Sequence, residues 1–213
     1  MLVIIQARSN SKRFKNKVLV PIYGKSLISH VVDKIRKSKK KIKIVVSTSR
    51  DKSDDSLVDH LKSSGINFFR GSLNNVALRL FNTARKYRSN YFIRISGDSP
   101  LFDFRILDRA IMLKKKNKNI DLITNVFPRT FPKGQSIEII KTSIIKNNIK
   151  QFNDHNKEHV TSYFYENFKN FKIKNFTNKY KYNSLKLSID TIVDLNKIKK
   201  KINKKNFINF KLK

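Results

Sequence analysis

The sequence predicts an α/β fold: a mostly parallel, twisted sheet with helices on both faces. Three observations carry that prediction. Short apolar runs with abrupt polar borders, Leu2-Val3-Ile4-Ile5 first among them, suit strands buried inside a parallel sheet. Segments with helical apolar spacing alternate with these runs, giving the βαβα succession that parallel strands require. Residues able to do chemistry follow directly on the strand-like runs, at the carboxyl ends where open α/β sheets place their ligands.

In chain order, the first run opens into a loop carrying Arg8, Lys12, Arg13, Lys15 and Lys17. Val18-Leu19-Val20-Pro21 and Gly24-Lys25-Ser26 lead into a helix whose apolar face is Leu27, Ile28, Val31, Val32 and Ile35. A second strand is expected over 42–47, a helix over 54–64 stopped by Gly65, and a short strand over 67–70. Ala77, Leu80, Phe81 and Ala84 form a helical stripe, and 91–95 is a strand. Asp103 caps the next helix, which buries Ile106, Leu107, Ala110 and Ile111. After a strand over 121–126 the rhythm changes: FPRTFPKGQ, with two prolines and a glycine, reads as a loop over the sheet edge. A strand follows over 136–141, then helices over 142–150 and 155–167, strands over 171–175 and 185–189, and a closing helix with Leu195, Ile198 and Ile202. The final NFINFKLK is expected to pack as an edge element or stay mobile. No repeat or second-domain linker appears, so residues 1–213 read as one domain.

Composition narrows the function. The chain has 48 Lys and Arg against 15 Asp and Glu, a formal charge of +33. That excess by itself suggests nucleic acid or an anionic membrane surface. It is spread along the chain without a tail, and lysine, asparagine and isoleucine rise together as in AT-rich genomes, so a nucleic-acid partner is not expected. The absence of cysteine excludes disulfides, thiolate metal sites and thiol nucleophiles. No stretch is long and apolar enough for a signal segment or a membrane span, so a cytoplasmic protein is expected.

The basic loop after the first strand suits a phosphate chain. Gly24-Lys25-Ser26 is not a phosphate-loop motif, because Leu19 stands where that motif needs its first glycine, and no GxGxxG follows a strand. Asp98 follows the run YFIRIS; beside a polyphosphate it would hold Mg²⁺, and as an Asx-turn it would only shape the approach to Pro100. Asp190 ends LKLSID and reads equally as a second metal ligand or as a helix N-cap. Glu158-His159 offers substrate binding or proton transfer, against a plain packing role. Tyr163-Phe164-Tyr165 reads as core or subunit interface.

Six segments, in order, resemble the cytidylyltransferases that activate sugars for surface polysaccharides: IIQARSNSKRFKNKVL, FFRGSLNNVALRL, IRISGDSPL, TNVFPRTFPKGQSIEI, EHVT and LSIDTIVDL. The group includes the CMP-Kdo and acylneuraminate enzymes and the branch named after spore coat polysaccharide biosynthesis protein F. The resemblance runs from residue 1 to about residue 200 and implies a three-layer α/β/α, Rossmann-like nucleotide-diphospho-sugar transferase fold with a mostly parallel mixed sheet. It implies that a sugar hydroxyl, or the phosphate of a sugar phosphate, attacks the α-phosphorus of CTP with Mg²⁺ as cofactor. Arg8, Arg13 and Lys17 would hold the triphosphate and act in catalysis with Asp98; Ala7, Gly71, Ser72, Arg94 and Gly97 would lie along the nucleotide. Asp98 and Asp190 would bind the metal, and Asn125, Arg129, Gln135, Glu138 and His159 would face an anionic sugar, a ulosonic or nonulosonic acid. A homodimer is implied, formed through an excursion at about 127–180 that also contacts substrate.

The chain departs from the family pattern at three places. Lys15-Asn16 replaces Pro-Gly before Lys17, Asn74-Asn75 replaces an acidic pair, and Ser136 stands in place of an aspartate. Asn is the best non-glycine residue for a left-handed backbone, so the loop is expected to keep its shape. The competing readings are a sugar-1-phosphate nucleotidyltransferase using another NTP, a basic nucleic-acid-binding protein, and a non-catalytic relative.

Overall fold

The computed structural model describes residues 1–11, 13–182 and 184–212. Lys12 of the basic loop and Lys213 of the final segment lie outside the described residues. The elements are β1 (Leu2–Gln6), β2 (Pro21–Ile22), β3 (Lys25–Ser26), α1 (Leu27–Arg36), β4 (Lys43–Ser49), α2 (Asp55–Ser63), β5 (Phe68–Gly71), α3 (Val76–Lys86), β6 (Tyr91–Ser96) and α4 (Phe104–Lys116), followed by β7 (Leu122–Thr124), β8 (Glu138–Lys141), α5 (Thr142–Asn148), α6 (Asp154–Glu158), α7 (Ser162–Glu166), β9 (Ile173–Asn175), α8 (Ile192–Lys201) and α9 (Lys204–Ile208).

One sheet runs in the order β5-β4-β1-β6-β8-β7-β9, and β2 and β3 form a separate hairpin. The first four strands are mutually parallel, β8 is antiparallel to both its neighbours, and β9 is parallel to β7. Successive side chains of a strand point to opposite faces, and β1 uses both. Val3 and Ile5 pack with Leu27 and Val31 of α1, Leu107 of α4, Leu195 of α8 and Phe207 of α9. Leu2 and Ile4 pack with Val76 and Leu80 of α3, Ile144 of α5 and Phe164 of α7. This is the expected three-layer α/β/α arrangement with a mostly parallel mixed sheet. Gln6 stands level with Ser47 of β4 and Ser96 of β6, so three strands deliver their carboxyl ends to one place.

Three expectations need correction. The helix expected over 155–167 is broken: α6 stops at Glu158, His159 leaves the helical region at φ −102° and ψ 56°, and α7 restarts at Ser162. Residues 185–189 alternate like a strand but join no sheet. Leu187 N donates to Lys133 O at 2.7 Å and Ile189 N to Asp98 O at 2.9 Å, so the segment pairs with the proline-rich loop and the site. The final segment is neither an edge strand nor loose. Phe207 is fully buried, the ammonium of Lys34 donates to Phe207 O at 2.8 Å and Ile208 O at 3.0 Å, and Leu212 N donates to Asp103 Oδ2 at 2.9 Å. Burial, helped by the charge of Lys37, brings Lys34 down to about 8.

Gly134 is where the proline-rich loop and the 185–190 segment touch. Its φ is +95°, and a Cβ there would lie 2.6 Å from Ser188 N and 2.7 Å from Leu187 C. Gly134→Ala is expected to cost on the order of 3 kcal/mol through left-handed strain and the displaced segment. Urea unfolding measures this, and a change within about 0.5 kcal/mol would mean that the contact is not a fixed one.

Candidate active site

The basic loop leaves β1 at Gln6 and is tied down from below. Ser9 N donates to Asp54 Oδ1 at 2.6 Å, Ser49 N donates to Asp54 Oδ2 at 2.9 Å, and Ser49 Oγ donates to the same oxygen. Asp54 has no exposed surface. Ser9 O in turn accepts from Ser11 N at 2.9 Å and Asn16 N at 2.8 Å, closing the loop on itself. Asn16 takes the left-handed conformation, φ 57° and ψ 19°, which is the backbone expected of it in place of glycine. On the neighbouring strand, Gly97 N donates to Gln6 O at 2.8 Å, and a Cβ at Gly97 would come within 2.8 Å of that of Ala7. Only glycine lets the ends of β1 and β6 lie this close.

Above these ends is a cavity of about 330 Å³, walled by Ala7, Arg8, Arg13, Lys17, Arg94, Gly97, Asp98, Glu158, His159 and Asp190. The Lys17 ammonium is its centre, donating to Asp98 Oδ2 at 3.2 Å, Asp190 Oδ1 at 3.1 Å and Ile189 O at 3.0 Å. Arg13 lies 3.5 Å from Asp190, and Arg8 donates to Glu158 at 2.9 and 3.4 Å. Burial works to raise the Asp190 carboxyl. Hydrogen bonds from Lys186 and the charge and hydrogen bond of Lys17 outweigh it and hold the group below the usual carboxylate range. Asp190 is not the N-cap of α8; Thr191 is, in a capping box with Asp194. Asp98 keeps a turn contact as well, accepting from Ser99 Oγ at 3.0 Å.

The donor set fits Mg²⁺. Two carboxylate oxygens converge on one position already taken by a cation, and Mg²⁺ prefers one or two carboxylates completed by phosphate oxygens and water. Among the described residues no cluster of three or more His, Cys, Asp or Glu forms an all-protein cage.

A second cavity of about 320 Å³ opens beside the first, sharing Arg94, Ser96 and His159 with it and adding Arg129, Ser136, Glu138 and Tyr165. Glu138 is buried and spoken for: Arg94 Nη1 donates to it at 2.5 Å and Tyr165 Oη at 2.7 Å. Arg94 Nε also donates to Gln6 Oε1 at 3.0 Å, so its guanidinium is fixed between the two cavities. Arg129 donates to Ser136 Oγ at 3.0 Å and forms no salt bridge among the described residues, leaving its charge available to an anion. Burial lowers the Arg129 pKa. Burial, then the neighbouring His155 ring at 4.6 Å, lowers His159 below the ordinary imidazole value, so it stands neutral at pH 7.

Two expected sugar contacts face elsewhere. Asn125 and Gln135 are fully buried and bind backbone: Asn125 Nδ2 donates to Gln135 O at 2.8 Å and its Oδ1 accepts from Ile137 N at 2.9 Å, while Gln135 bridges Leu101 O at 2.7 Å and Asp103 N at 2.9 Å. Asn125 satisfies backbone at the end of the proline-rich loop, Gln135 ties that loop to the turn before α4, and neither lines the two cavities. Gly71 and Ser72 line a separate hollow of about 400 Å³ with Arg50 and Leu78. Asn75 caps α3, accepting from Leu78 N at 2.8 Å. Sequence reasoning missed Asp54, Lys186 and Arg79, and it singled out Glu158 only for its place beside His159, not for its pairing with Arg8. Arg79 is fully buried, donates to Ser72 O at 2.6 Å, and is brought down to about 10 by burial, with Asp54 opposing.

A cytidylyltransferase family model matches residues 2–209. An uncharacterized protein of Methanocaldococcus jannaschii is 34% identical over 90% of this chain and 78% of its own length. The spore coat polysaccharide biosynthesis protein SpsF of Bacillus subtilis is 28% identical over 93% of this chain and 85% of its own. A solved cytidylyltransferase from Leptospira borgpetersenii superposes with a TM-score of 0.85 at 28% identity, covering 100% of this chain and 98% of that one.

Two outcomes are expected from this geometry. Asp54→Ala strands three buried donors and should cost about 3 kcal/mol or more in chemical denaturation; a near-neutral result would remove Asp54 as the loop's tether. Asp194 accepts from Lys186, Asp190 N and Thr191. Burial opposes these bonds, and together they leave its carboxyl at about 2. Its folded pKa is depressed, so its contribution is complete above the unfolded value near ~3.9. That contribution is lost as pH falls through about 2. Stability measured across this window should fall in the wild type and flatten in Asp194→Asn.

Proposed function

The chain belongs to the cytidylyltransferase family, and from that premise we propose that it transfers a cytidylyl group from CTP to an anionic sugar, a ulosonic or nonulosonic acid, for glycan or surface polysaccharide synthesis. The observation that carries the reading is the pairing of the two cavities: one lined by cations around Asp98 and Asp190, the other holding the unpaired charge of Arg129, with Arg94 fixed between them.

In this reading the triphosphate lies in the first cavity against Arg8, Arg13 and Lys17. Asp98 and Asp190 would hold Mg²⁺, which when bound supplies charge neutralisation to the phosphates. The acceptor sits in the second cavity with its anionic group at Arg129. Its hydroxyl oxygen bonds to the α-phosphorus and gives up its proton to solvent as the bond from the α-phosphorus to the bridging oxygen breaks, and pyrophosphate departs with that electron pair. The basic side chains offset the charge that grows on the leaving group, which is electrostatic preorganisation. Arg94 orients the boundary between the two reactants, and proximity of this kind is worth on the order of 7–11 kcal/mol. No activated side-chain nucleophile is required. A homodimer belongs to the reading too, through the 127–180 excursion, where Phe127 and Phe168 are exposed apolar surface.

The test is pyrophosphate release from each of the four NTPs with Mg²⁺, against 3-deoxy-ulosonic acids, nonulosonic acids and sugar-1-phosphates. The expected result is release with CTP and an acidic sugar, falling at least about 10²-fold in Asp98→Asn. Release with another NTP and a sugar-1-phosphate would replace the substrate assignment. No release together with no Mg²⁺-dependent binding of any NTP would sink the enzyme reading.

A further inference from the structure

The Lys17 ammonium has three protons and three acceptors: Asp98 Oδ2 at 3.2 Å, Asp190 Oδ1 at 3.1 Å and Ile189 O at 3.0 Å. Its side chain is only 12% exposed. In this arrangement it has no proton left for a phosphate oxygen. It also fills the position from which a second cation would have to reach both carboxylates, and two cations cannot share that position. Two other basic residues of the loop are parked in the same way, Arg8 on Glu158 and Arg13 on Asp190.

We infer that Lys17 is the stand-in for the divalent cation in the free protein, and that metal and nucleotide exchange for it together. The inference rests on the reading that Asp98 and Asp190 take the metal. In the free state the ammonium lies between two carboxylates that would otherwise repel each other and, with Lys186 and Arg13 also on Asp190, offsets their charge without metal. A metal ion arriving alone must displace a fully hydrogen-bonded ammonium and leave it without partners. A triphosphate arriving with the metal offers Lys17 new oxygens at the moment it loses the old ones. Metal and nucleotide therefore promote each other's binding, and by linkage the effect is the same in both directions. This coupling keeps the site from being filled by metal alone.

The experiment is a calorimetric titration of Mn²⁺, as a probe for Mg²⁺, into wild type and Lys17→Met, each with and without saturating CTP and no acceptor. Wild type should bind Mn²⁺ weakly alone and roughly tenfold or more tightly with CTP. Lys17→Met should bind Mn²⁺ alone roughly tenfold more tightly than wild type, and CTP should add much less. If Lys17→Met does not fold, Lys17→Gln removes the charge while keeping a polar side chain. Equal or weaker Mn²⁺ binding by the folded variant without CTP overturns the exchange, while CTP-dependent Mn²⁺ binding by wild type would leave the metal assignment standing. Failure of wild type to bind Mn²⁺ even with CTP overturns both.

Discussion

The segment from Ala7 to Lys17 carries five cationic side chains and no acid of its own, so mutual repulsion works to throw it open. The site depends on how that repulsion is contained. Asp54 does it through the backbone, holding the Ser9 amide from a position with no exposed surface. Glu158, Asp98 and Asp190 do it through side chains, each taking one or more of the loop's charges. The loop is thus a spring of like charges held by four carboxylates, one structural and three facing the cavity. An incoming polyphosphate need only offer those charges better partners.

This places the chain's unusual composition in perspective. With 48 basic and 15 acidic residues, carboxylates are scarce. Six of the 15, Asp54, Asp98, Glu138, Glu158, Asp190 and Asp194, stand in the site or directly behind it. Basic residues crowd most of the surface, where substitution is cheap; the acids are kept where each has a defined partner. The whole-chain charge says little about function, while the location of the few acids says a great deal.

The fold was legible because its signals are local. The central strand β1 is buried on both faces and reads as an unbroken apolar run, β4 and β6 carry shorter apolar runs, and the longer helices α1, α3 and α4 each show their own stripe. The basic loop, Asp98 and Asp190 were legible for the same reason, as polar residues following apolar runs. What joins them was not: Lys17 and Asp190 meet across 173 positions, and nothing near either one announces the other. Polar residues inside the proline-rich loop misled in the opposite direction. The family resemblance puts Asn125 and Gln135 at the sugar, yet both amides serve backbone instead, Asn125 that of Gln135 and Ile137, and Gln135 that of Leu101 and Asp103 before α4. Residues 185–189 misled through their alternation, which reports two environments on either side of the chain and not the presence of a neighbouring strand.

The anchoring of residues 192–212 has a consequence for biosynthesis. This stretch is bolted across one face of the sheet by Phe207, the Lys34 ammonium and the contact of Leu212 with Asp103, and it leads directly out of Asp190. A growing chain on the ribosome displays Arg8, Lys17 and Asp98 long before Asp190 has been made. Until Asp190 and the helices α8 and α9 that follow it have been made and docked, Lys17 has one carboxylate where the folded protein gives it two. The pocket therefore cannot mature before them, and a nascent chain short of Asp190 presents an incomplete one.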